Sequence, residues 1–83
     1  MAGTESPERM NLEETLKYIE DNKLTTIQNL IAFSFEKLYE RKKYYNDWAR
    51  RAEESGFSES AALNDLHSKI VGEAIVLKKL MNK

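Results

Sequence analysis

The sequence predicts an all-α fold: two helices folded back on each other as an antiparallel hairpin, with a short N-terminal helix ahead of them. Three observations predict it. A single proline and three glycines in 83 residues leave long stretches free to be helical. Apolar residues recur at steps of three and four along most of the chain. The β-branched residues are few and scattered, which argues against strands.

At 83 residues the expectation is one helical domain, residues 1–83. A domain this short buries a modest share of its surface and needs good packing or outside help. Cysteine is absent, so neither a disulfide nor a thiolate metal site can supply that help. A second subunit is the remaining source. The charged fraction is 33% and the formal net charge is −1, which argues against general polyanion binding. Met1 to Arg9 lacks the apolar core of a secretory signal. No run approaches the roughly 18 apolar residues of a membrane span. A cytoplasmic location, away from membranes, is the default expectation.

Residues 1–6 are small and polar and read as disordered. Ser6-Pro7-Glu8 is one possible helix start, with a capping hydroxyl and a proline at the first position. Asn11 with Glu14 three residues on is a second, in capping-box spacing. Leu12, Leu16 and Ile19 then share one face, giving a first helix over about 12–20. Asp21-Asn22-Lys23 ends it.

Thr25 and Gln28 repeat the capping-box pattern, and no proline or glycine follows until Gly56. Ile27, Ile31, Ser34, Leu38, Tyr45, Trp48, Ala49 and Ala52 hold one side in near-heptad spacing. The second helix is therefore expected over about 26–55, some 45 Å at 1.5 Å per residue. Ser55-Gly56 stops it, with Gly56 as a left-handed cap. Phe57 before Ser58 suggests a hydrophobic staple and an N-cap for a third helix over about 59–82. So short a link makes the second and third helices antiparallel neighbours.

Both long helices carry a wide apolar arc. On the third it runs from Ala62 and Leu80 round to Val71 and Ile75, on the order of 220° at 100° per residue. A helix touching one partner buries a stripe of roughly 100°. The first helix has too few apolar residues to cover the excess. A homodimer closing into a four-helix bundle is the expected answer. Its core would hold Ile31, Leu38, Tyr45, Leu63, Leu66, Ile70 and Leu77.

No motif carries identifiable chemistry, so no catalytic residue, cofactor or metal is expected, and the chain is not expected to be an enzyme. Glu36 and Glu40 stand four apart, but on the polar side of their helix. His67, the only histidine, lacks a partner at the spacing of a Glu-x-x-His metal motif. A bond to Asn46 across the hairpin is its expected use. Arg41 falls opposite Gly72 and Glu73 in the hairpin register, which predicts an Arg41–Glu73 ion pair within or between chains. Gly72 itself is placed on the solvent side, one turn from Ser68.

The best candidate surface is one flank of the second helix. Phe33, Lys37, Arg41, Tyr44, Trp48 and Arg51 mix large aromatics with cations, as protein-interaction hot spots do. Leu12, Leu16 and Ile19 of the first helix are expected to cover at least Phe33. A non-catalytic adaptor or regulator that binds another protein is the leading expectation. The alternative is a small nucleic-acid-binding regulator. Segment 41–51 holds five bases and one acid, with Tyr44, Tyr45 and Trp48 between them, whereas residues 1–40 hold four bases and eight acids. Arg41, Lys42, Lys43, Arg50 and Arg51 would then meet phosphates while the aromatics stack on bases.

Overall fold

The computed structural model describes residues 11–82, which form four helices and no strand. They are α1 (Leu12–Asp21), α2 (Lys23–Leu30), α3 (Phe35–Glu54) and α4 (Ser58–Met81). The expected disorder over 1–6 and the start at Ser6 lie outside the described residues.

α1 begins with the expected capping box. The Asn11 side chain accepts from the Glu14 N–H at 2.8 Å, and the Asn11 N–H donates to Glu14 Oε1 at 3.2 Å. Two of the helix's orphan donors are thereby satisfied. At Asn22 the backbone leaves helical values, with φ −104° and ψ 10°. The chain therefore bends there, and α2 starts one residue later. Thr25 does not cap: it lies inside α2, whose cap position is Asn22. The Thr26 hydroxyl donates back to the Asn22 carbonyl at 3.2 Å.

The expected long second helix is two helices, α2 and α3, separated at residues 31–34. Ser34 makes the break. It takes extended backbone angles (φ −68°, ψ 159°), and its hydroxyl accepts from the Lys37 N–H at 3.2 Å. Serine stabilises such an N-cap better than a helix interior, because its side chain competes for backbone donors. Packing favours the same break. In one continuous helix Phe33 would stand about 160° from both Ile31 and Phe35. With the chain re-aimed, Ile31, Phe33 and Phe35 all pack against one core.

α3 ends in a Schellman turn. The Phe57 N–H reaches the Ala52 carbonyl at 2.8 Å and the Gly56 N–H reaches Glu53 at 3.2 Å. Gly56 sits at φ +83°, the left-handed conformation that glycine adopts without a Cβ clash. Ser58 is the first residue of α4, not its cap, and Phe57 is exposed and staples nothing.

α3 and α4 form the hairpin, and α2 folds against α4 beside it. Leu38 is fully buried, in one core cluster with Ile27, Leu30, Ile70, Val71, Ala74 and Ile75. α4 meets α3 through small residues as well. Ala61, Ser68 and Ala74 are buried on α4, and Ala49 and Ala52 on α3. That choice turns the core face of α4 away from the expected one. Leu66 is left half-buried, and Leu77, Leu80 and Met81 are exposed.

Of the residues expected in a dimer core, Leu38 and Ile70 are buried by their own chain. Ile31, Tyr45, Leu63 and Leu66 are half-buried and Leu77 is exposed. No helix among the described residues is long and apolar enough to cross a membrane.

Candidate interaction surface

α3 carries Leu38, Ala49 and Ala52 into the core, and that fixes which flank it shows to solvent. Lys37, Arg41, Tyr44, Trp48 and Arg51 follow at steps of four, three, four and three, so they fall on one exposed stripe. The stripe is internally organised. The Arg41 guanidinium lies 4.9 Å from the Phe33 ring centroid, and that of Arg51 lies 5.6 Å from Trp48. Tyr44 meets Tyr45 and Trp48 edge-on, with centroids 5.5 and 6.2 Å away. Tyr44 is 58% exposed and Trp48 44% exposed. Stacking holds these large side chains in place before any partner arrives, which lowers the entropy lost on binding. A shallow depression of about 410 Å³ lies on this flank, lined by Lys37, Glu40, Arg41, Tyr44 and Tyr45.

The sequence-predicted stripe is therefore brought together, with one difference. Phe33 is half-buried and packs on the core, under Arg41. α1 packs against α2 and α4, with Ile19 against the same core as Phe33.

The five bases of segment 41–51 do not share one surface. Lys42 turns inward. Its Nζ donates to the buried Ser68 hydroxyl at 3.3 Å, and Ser68 in turn donates to Asn46 Oδ1. Lys43 and Arg50 both engage Asp47, at 3.1 and 3.6 Å. Arg41 and Arg51 belong to the aromatic stripe.

The cross-hairpin partners differ from expectation by one residue. Lys42, not Arg41, reaches Gly72, where an added Cβ would lie 3.5 Å from the Lys42 ammonium. Gly72 is thus half-buried against that side chain instead of standing on the solvent face. Within the chain Glu73 pairs with Lys23 at 3.7 Å, and Arg41 does not reach it. Ser68, not His67, meets Asn46. The His67 ring instead stacks on Tyr45, with centroids 5.1 Å apart and planes inclined by 21°. Burial there disfavours the imidazolium and holds His67 below its ordinary value of 6.5.

Sequence reasoning did not foresee the Lys42–Ser68–Asn46 link. Its one signal was the Ser68/Gly72 pair one turn apart, a small-residue notch wide enough for a lysine stem. Among the described residues, no group of three His, Cys, Asp or Glu side chains is placed to hold a metal ion. Glu36 and Glu40 are exposed.

No family model matches this chain, and no curated protein or solved structure matches it.

Proposed function

We propose that this protein is a non-catalytic interaction module: a helical dimer that binds another protein through the outer flank of α3. One observation carries the proposal. Tyr44 and Trp48 are exposed, lie in contact, and are flanked by Arg41 and Arg51 stacked on rings. Exposed, pre-packed aromatics and arginines are the residue types that dominate binding energy at protein interfaces. A helix or groove of the partner, seated along the depression between Lys37 and Tyr45, would bury them.

The phosphate-binding alternative has weaker support. Lys42 is committed to Ser68, and Asp47 lies between Lys43 and Arg50. That leaves few cations on one side for a polyanion.

The test starts with a photo-crosslinking residue at position 44, used in the native cells to trap the bound protein. The trapped protein is then purified and titrated against Trp48→Ala. Trp48→Ala should weaken binding by about 2 kcal/mol, roughly thirty-fold, with helical circular dichroism unchanged. Equal affinity of wild type and Trp48→Ala would remove the proposal. Steeply salt-dependent retention on a polyanion column, lost in Lys43→Ala/Arg50→Ala, would favour the alternative.

A further inference from the structure

Ala62, Leu66, Lys69, Glu73, Val76 and Leu80 recur on α4 at steps of four, three, four, three and four. At 100° per residue they fall within an arc of about 80°, the spacing of a helix-pairing seam. This seam lies on the opposite side of α4 from its buried Val71. Val76 and Leu80 are 58% and 59% exposed, with Leu77 exposed beside them. Two shallow depressions of about 690 and 460 Å³ follow the same face. The first runs between Leu16 and Glu20 of α1 and Lys42 of α3, over Ala62 and Leu66. The second passes Gly72 and continues over Glu73, Val76 and Leu80. Lys42 and Lys69 border both, so the two depressions adjoin along α4.

The order of side chains along the seam is two apolar, one base, one acid, two apolar. Reversed end for end, it is complementary to itself. Ala62 then meets Leu80, Leu66 meets Val76, and Lys69 meets Glu73. Each contact occurs twice, about a two-fold axis level with Val71. A parallel arrangement in the same register sets Lys69 against Lys69 and Glu73 against Glu73, which repel. The charges are available. Among the described residues Lys69 has no ion-pair partner, and Glu73 has only the 3.7 Å contact with Lys23. Gly72, with no side chain, leaves room beside the axis for the end of the Lys42 side chain, whose Nζ would lie 3.5 Å from an added Cβ.

We propose that the outer face of α4 pairs antiparallel with α4 of a second copy of this chain, with Lys69 opposite Glu73 on both sides of the axis. This rests on the self-association proposed above and gives it a surface, a direction and a register. It is an isologous interface, the kind that closes into a dimer and stops. The α3 stripe lies about 140° round α3 from Lys42, away from the two depressions, so it stays free for a different protein.

The test uses the full chain. Light scattering should give twice the chain mass of 9.7 kDa. Lys69→Glu alone and Glu73→Lys alone each place like charges together twice, and each should weaken the dimer by at least about ten-fold. The double variant Lys69→Glu/Glu73→Lys should restore affinity to within a few-fold of wild type. The chain has no cysteine of its own, so cross-linking gives a clean second readout. Ala62→Cys/Leu80→Cys should form a covalent dimer on oxidation, and neither single variant should do so. A dimer that persists in both charge variants, with no cross-link, overturns the α4 pairing while self-association stands. A single-copy wild type at high concentration overturns both.

Discussion

The α3–α4 hairpin and α1 are both amphipathic helices, yet they bury very different amounts. α4 places six residues in the interior, while α1 places none. α1 has the cleaner amphipathic pattern and the better N-cap, but at ten residues it is shorter than the roughly 12–15 an isolated helix needs. Its order depends on Leu12, Leu16 and Ile19, each only half-buried. The difference teaches that helical signal and structural weight are separate quantities. A good cap says where a helix starts, and burial decides how much the fold depends on it.

The largest expected effect tests that contrast directly. Leu38→Ala empties a fully enclosed site and should cost about 2–5 kcal/mol in urea unfolding. Leu16→Ala, on the half-buried face of α1, should cost no more than about 1 kcal/mol. Comparable losses at the two positions would erase the distinction.

A smaller effect sharpens it at the α2–α3 joint. Ser34→Ala removes the N-cap of α3 and should cost about 1 kcal/mol. Thr25→Ala, at a position with cap-like sequence but inside α2, should leave stability level or slightly raised. The same denaturant series measures both, and the reverse order would show that the chain breaks at Thr25.

The smallest effect concerns pH and belongs to the hairpin, since α1 has no histidine. Burial lowers the affinity of His67 for its proton in the folded chain. As pH falls, the unfolded chain takes up that proton first. Stability from this site is therefore whole above about 6.5 and declines as pH drops through that value toward the lower folded one. His67→Gln should flatten the change in urea midpoint between about one unit above and one unit below. An unaltered slope would place the pH dependence elsewhere.

Much of this architecture was legible beforehand. The Asn11–Glu14 box, the Gly56 turn and the antiparallel hairpin follow from local rules that need no tertiary information. Lys37, Arg41, Tyr44, Trp48 and Arg51 were legible as one flank because helical spacing alone puts them there. The misses share a cause. The Ser34 break depends on Ile31, Phe33 and Phe35 reaching one core, which periodicity within a single helix cannot express. The Lys42–Ser68 contact depends on α3 and α4 approaching through alanine and serine, and that rotates α4 relative to its largest apolar residues. A one-residue error in hairpin register then exchanged Arg41 for Lys42 and His67 for Ser68.

At the joint between α2 and α3 the Ile31 carbonyl accepts a hydrogen bond from Lys78 Nζ at 2.9 Å. Lys78 belongs to the last turn of α4, the part of any helix most prone to fray. Unwinding that turn withdraws the donor from a peptide group 47 residues earlier in the chain. The bend near the middle of the polypeptide and the close of its final helix are thus linked by one ammonium, beside the apolar packing of Ile31, Phe33 and Phe35 on the core.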